Sequence, residues 1–197
     1  MEIMIVVAII AGLVAIGVPR LANQKGRMRS EVQRIAVLSR EVFNAARLQN
    51  RTFRIVFEMG QSSSKYYVES ANGQIALLNE AQLKDLDEKT SMDKEELAKL
   101  NPTKFEFETK YVKKPEPLPG DLRVDGVEYA GRSEGIEKPE GEGVTKATIH
   151  YFPQGLAEQA VIRFTDGKTL NWTLVINPLT GKANVFDKKL TLKEIGQ

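Results

Sequence analysis

The first 19 residues, MEIMIVVAIIAGLVAIGVP, constrain this chain more than any other stretch. From Ile3 to Val18 there is no charge and no hydrogen-bonding side chain, and one acid, Glu2, stands at the N-terminal edge of the run. As a helix the run reaches roughly 24 Å, a little short of the about 20 residues of a bilayer-spanning helix. A lone carboxylate beside such a segment is costly unless something neutralises it, which makes Glu2 a candidate functional group. A buried core helix, a cleaved secretory signal and a plain single-pass anchor are the competing readings. A signal places its basic residues before the apolar run, whereas here they follow it. Ala8, Ala11, Gly12 and Ala15 recur at spacings of three and four, so Ala8 and Gly12 would let another helix approach closely. Pro19, where the apolar run meets a basic segment, predicts a kink or local melting.

The net charge is only +2, but it is unevenly placed. Arg20, Lys25, Arg27, Arg29, Arg34, Arg40, Arg47 and Arg51 face only Glu31 and Glu41 in that stretch, so the remainder is net acidic. Basic residues directly after an apolar run would hold the C-terminal bulk in the cytoplasm. A basic leader upstream of Met1 would reverse that orientation. Leu21 to Arg51 reads as an amphipathic helix with Val32, Ile35, Ala36, Ser39, Val42, Phe43 and Ala46 on one face, and Arg27–Glu31 is an i,i+4 pair. Its basic face reads as solvated or headgroup-contacting, or as a surface between subunits. With no cysteine and one histidine, a thiolate site and a zinc site of several histidines are excluded.

After Thr52 the period changes to two. Phe53–Glu58 and Lys65–Ser70 predict a hairpin, and Asn72-Gly73 a further turn. Residues 79–100 are charged and helix-prone, with Ser91 as a cap and Pro102 as a stop. Phe105–Val112 alternates as a strand, Lys113–Gly120 is a proline-rich loop, Leu122–Tyr129 a strand, and Gly131–Gly143 a polar loop. Ala147–Phe152, Ala160–Phe164, Thr169–Asn177 and Lys182–Phe186 complete the strands, separated by turn residues.

The N-terminus resembles that of type IV pilins and pseudopilins. Glu2, the run Met4-Ile5-Val6-Val7-Ala8-Ile9-Ile10 and Pro19 match that family in type and spacing. The upstream Gly-Phe-Thr-Leu cleavage site and leader are not in this sequence, so the resemblance implies that Met1 is internal to the motif. Toward the C-terminus, Phe152-Pro-Gln-Gly155, Asp166-Gly167 and Asn177-Pro-Leu-Thr-Gly181 resemble the H-type minor pseudopilins, the GspH/FimT family. The resemblance implies an α+β, pilin-like fold: a long N-terminal helix, transmembrane half plus amphipathic half, packed on a mostly antiparallel β-sheet domain. The domains would be a helix over 1–51 (anchor and assembly segment 1–19, amphipathic half 20–51) and a periplasmic β-rich domain over 52–197. The segment 78–120 is an insertion without a counterpart in the family.

The resemblance further implies that Glu2 pairs with the N-terminal amine of a neighbouring subunit, which would fix register because a misplaced subunit leaves both charges unpaired. The partners it implies are other pilin or pseudopilin subunits, the bacterial inner membrane, assembly machinery and, on the parent precursor, prepilin peptidase. The function expected is a minor pseudopilin of type II secretion; the alternative is a minor pilin that primes or tips a type IV pilus and binds DNA for uptake.

No catalytic constellation, cofactor motif or metal motif is evident. His150 alternates with Ile149 and Tyr151 and reads as a satisfied or surface histidine. Asp121, Asp125 and Glu128 offer oxygen ligands of the kind calcium takes, but at a strand start they read as turn residues. Asn171-Trp-Thr173 fits a glycosylation sequon in mid-strand, and Trp172 reads as core. Lys182, Lys188, Lys189 and Lys193 are the candidate nucleic-acid residues, against a solvated tail.

Overall fold

The computed structural model describes residues 2–72, 104–132 and 135–195, with the side chains of 2, 3, 8 and 11–24 outside that description. The turn after Asn72 and the helix-prone stretch 79–100, with Ser91 and Pro102, lie outside the described residues.

Helix α1 spans Glu2–Gln49. Asn50, in the left-handed region at φ 52°, ends it and starts the first strand. One face of its second half is buried: Met28, Val32, Ile35, Ser39, Val42, Phe43 and Ala46 are at most 3 % exposed. The helical spacing of those residues is therefore what docks α1. Glu31 does not pair with Arg27; it accepts a 2.6 Å hydrogen bond from Tyr66 Oη and lies 3.7 Å from Arg34.

The strands form two antiparallel sheets. In the first, β1 (Arg51–Gly60) pairs with β2 (Ser64–Asn72) on one side and with β7 (Val144–Phe152) on the other. Short strands β3 (Glu106–Phe107) and β4 (Glu116–Pro117) add to β2, and β8 (Leu156–Ala157) adds to β7. The second sheet runs β11 (Ala183–Phe186), β10 (Asn171–Ile176), β9 (Ala160–Thr165), β5 (Arg123–Tyr129), β6 (Ile136–Glu137). A short C-terminal helix, α2 (Leu192–Ile195), starts with a capping box in which Glu194 accepts from Thr191 N at 2.7 Å.

The inner faces of the two sheets meet around Phe57 and Phe164, whose rings pack edge to face at 6.3 Å. α1 touches both sheets. Ser39 Oγ donates to Gly181 O before β11 at 2.8 Å and accepts from Tyr151 Oη of β7 at 2.9 Å. A single hydroxyl thus ties the helix to both sheets.

This arrangement corrects the expected fold class. The protein is mostly antiparallel β in two sheets, and among the described residues no helix is long and apolar enough to cross a membrane. The described side chains of α1 are those of 4–7, 9–10 and 25–49. The last stretch carries Lys25, Arg27, Arg29, Glu31, Arg34, Arg40, Glu41 and Arg47, too many charges for a bilayer. A transmembrane half joined to an amphipathic half is therefore not the architecture found. The strand expected over Phe105–Val112 shrinks to Glu106–Phe107, because only those residues pair with β2 before the chain turns. Conversely, the expected loops 113–120 and 131–143 each contribute a two-residue strand.

Three fully buried tyrosines make the fold alkali-sensitive. Burial pushes the phenols of Tyr66, Tyr129 and Tyr151 well above the ordinary tyrosine range. A raised pKa means that stability is complete below the unfolded value, about pH 10, and is lost as pH climbs toward the folded values. The urea midpoint is expected to fall steeply above about pH 10, with the phenolate absorbance of these three of the five tyrosines appearing only as tertiary structure is lost. Phenolate absorbance of more than two tyrosines ahead of unfolding would contradict the burial of these hydroxyls.

Candidate functional site

The sequence directs attention first to α1. Its helical backbone includes Glu2, Ala8, Gly12 and Pro19, and the helix runs on through Pro19. The side chains of these four residues lie outside the described residues. Those of Met4, Ile5, Val6, Val7, Ile9 and Ile10 are described, and each is 53–80 % exposed. Six large apolar side chains thus stand clear of the sheets on one end of the helix, a patch that water does not favour.

The four lysines do not converge. Lys182 precedes β11 and Lys188 follows it, so a strand separates them. Lys189 Nζ is paired with Asp125 at 3.1 Å. Lys193 sits at a cleft of about 330 Å³ that Glu128 and Glu137 also line. This is a solvated tail with acidic neighbours rather than a basic patch.

That tail has a structural task which the sequence did not announce. Thr173 Oγ1 of β10 donates to Lys188 O at 2.6 Å and accepts from Leu190 N at 3.0 Å. Farther on, Leu192 N donates to Glu128 Oε2 of β5 at 2.8 Å. Residues 187–192 therefore cross the outer face of the second sheet from β10 to β5. Between those strands lies Arg163 of β9, 5 % exposed, in register with Thr173 and Gly126. Its guanidinium bonds both Glu128 and Glu137. Burial pulls its pKa down, but Glu137 and Glu128 more than offset this and hold it above the ordinary arginine value. Gly126 leaves room here, since a Cβ would press on the ends of the Arg163 and Glu137 side chains and push that pair to a new position.

The carboxylates once weighed for calcium are spent on cations of the chain. Asp121 pairs with Lys168 at 3.0 Å, Asp125 with Lys138 and Lys189, and Glu128 with Arg163. Burial raises the Asp125 pKa, but the two lysines outweigh it and leave the carboxyl below its ordinary value. Among the described residues no group of three or more histidine, cysteine, aspartate or glutamate side chains is arranged to hold a metal ion.

His150 is buried, 7 % exposed, and satisfied. Its Nδ1 lies 3.0 Å from Glu158 Oε2, which also accepts His150 N at 3.2 Å, while Arg132 reaches Glu158 Oε1 at 2.8 Å. Phe152 stacks on the imidazole, and Phe105 lies against it at 6.0 Å. Tyr129 Oη donates to Thr148 O and accepts from Thr148 N. Glu158 and Tyr129 thus occupy backbone groups along the free side of β7, which blunts that edge against pairing with another strand. No nucleophile stands beside His150 in these contacts; the histidine is part of the fold's edge. Trp172 is core, at 2 % exposed, and Thr173 of the sequon is fully buried.

Arg163, Glu158 and Tyr129 were missed by sequence reasoning. The one available signal was a charge inside the apolar strand AVIRFT, which called for a partner. No protein-family model, curated protein or solved structure matches the chain.

Proposed function

We propose that this chain is a structural assembly subunit, a minor pseudopilin that joins a short envelope filament serving type II secretion. The observation that carries the reading is the exposed apolar end of α1, residues 4–7, 9 and 10, held away from the sheets. Such side chains gain by packing against the same segment of neighbouring subunits. The sequence adds Glu2 at the edge of that segment and small residues within it, as the pseudopilin resemblance requires. On this reading the apolar end resides at the bacterial inner membrane before assembly, with the two sheets on the periplasmic side. Glu2 sets register by meeting a neighbour's terminal amine, Ala8 and Gly12 permit close helix approach, and no catalysis is involved. The scattered lysines give the DNA-uptake alternative no comparable support.

The test is a Glu2→Ala chain expressed as the sole copy. It is expected to remain in the membrane fraction, to fail to co-assemble with the other filament subunits, and to leave exoprotein in the periplasm while surface pili stay intact. Normal incorporation and normal secretion would overturn the reading.

A further inference from the structure

We propose that the end of the module from which α1 emerges is a docking surface for anionic phospholipid headgroups, carried by Lys25 and Arg27. Among the described residues of α1, Met28 is the first buried against the sheets, at 3 % exposed. The turn just before it exposes Lys25, Gly26 and Arg27. The two α1 cations that follow Met28 most closely are matched with acids, Arg29 with Asp187 and Arg34 with Glu116. Lys25 and Arg27 have no ion pair among the described residues. From residue 3 to residue 30 the chain contains no acid at all.

Across from Lys25, the turn after β9 presents Lys168, its side chain 73 % exposed, over a groove of about 290 Å³ floored by Met28. The acids in that groove bear on Lys168. Burial raises the Asp166 pKa, but its carboxylate accepts the backbone N–H groups of Lys168, Thr169 and Leu170 and is held below its ordinary value, so it stays ionised. Asp121, 3.0 Å from Lys168 Nζ, is the direct counterion, and the Asp166 charge adds to it. The cations left over at this end are those of α1.

The occupant follows from what lies next along the same helix. Upstream of the basic turn α1 continues to the exposed apolar side chains of residues 4–7, 9 and 10. Along a continuous helix, residue 25 stands about 10 Å beyond residue 18, where the apolar run ends. That distance is just outside a headgroup layer of about 5–8 Å and about one Debye length from the hydrocarbon edge at physiological salt, in reach of lipid phosphates for a long side chain. An apolar segment followed by unpaired cations fits a surface with an acyl layer beneath phosphates. Nucleic acid offers the phosphates without the apolar layer. Interfacial binding of this kind needs no membrane-crossing helix.

The full chain should be partitioned onto vesicles of phosphatidylcholine alone and of phosphatidylcholine with phosphatidylglycerol in equal parts. The apolar end gives some binding to both, and the basic turn adds a preference for the anionic vesicles that fades with salt. Removing two charges in K25Q/R27Q is expected to reduce that preference roughly thirtyfold at low salt, about fivefold for each cation. Both positions are exposed, so the fold should be unaffected, and K188Q/K189Q should keep the preference. Equal partition onto both vesicle types overturns the proposal. So does a preference lost in K188Q/K189Q but kept in K25Q/R27Q, or duplex DNA retardation lost in K25Q/R27Q without any lipid preference. The inference does not rest on the filament reading, because a Glu2→Ala chain that fails to assemble should retain the anionic preference.

Discussion

Replacing Gly181 with alanine is expected to destabilise the protein by roughly 3–4 kcal/mol and to lower the melting temperature by about 10 °C. Gly181 has φ 63° and precedes β11, where α1 passes over it. A Cβ there would fall inside the van der Waals radius of Phe43, against both its Cβ and its ring. Phe43 is only 3 % exposed and has no room to retreat. The same carbonyl accepts from Ser39, whose hydroxyl also serves the fully buried Tyr151, so a shift of the backbone strands two further polar groups. Gly131→Ala separates strain from collision. Gly131 has φ 82° with nothing within 4 Å of its would-be Cβ, so it should lose the left-handed strain alone, roughly 1–2 kcal/mol. Equal losses at the two positions, read from urea midpoints, would show that the contact between α1 and the β10–β11 turn is unimportant.

That contact also marks the limit of what the sequence conveys. The docking face of α1 was legible because Val32, Ile35, Ser39, Val42 and Ala46 repeat at helical spacing, and these are the residues that are buried. The hairpin of β1 and β2 was legible because apolar side chains recur at every second position (Phe53, Ile55, Phe57; Tyr66, Val68), although Val56 and Tyr67 interrupt the pattern and each strand extends beyond it. The division into two sheets was not, because strands of either sheet alternate alike and pairing is a long-range choice. β4 and β6 lie in proline- and glycine-rich loops and pair over two residues, too few to show a period. The membrane half was inferred from the apolarity of residues 3–18, yet the part of α1 whose packing is described is amphipathic and charged. At the candidate site, the apolar end of the helix could be read directly. The fate of the C-terminal lysines could not, because Lys189 meets Asp125 across 64 positions of sequence.

Arg163 is where such distant contacts carry the greatest energy. Arg163→Met preserves much of the volume but leaves Glu128 and Glu137 beside one another without their shared cation. Breaking a buried pair by removing one partner costs roughly 3–5 kcal/mol. Because the Glu137 side chain is 58 % exposed and can turn to water, the loss here should fall at the lower end, about 3 kcal/mol. The Glu128 carboxylate has less freedom, since it also accepts Leu192 N where the tail crosses the sheet. The deficit should therefore depend on pH. Acid neutralises the stranded carboxylates, so the deficit of the variant relative to wild type shrinks at low pH. Below about pH 4, Asp125 and Asp166, with lowered pKa values, withdraw stability from wild type and variant alike as they are protonated. The two urea-midpoint curves should converge in acid. The triple variant R163M/E128Q/E137Q, which removes the stranded charges together with the arginine, should regain most of the loss at neutral pH. A deficit under about 1 kcal/mol that does not change with pH would mean that this triad is solvated and that the tail does not seal it.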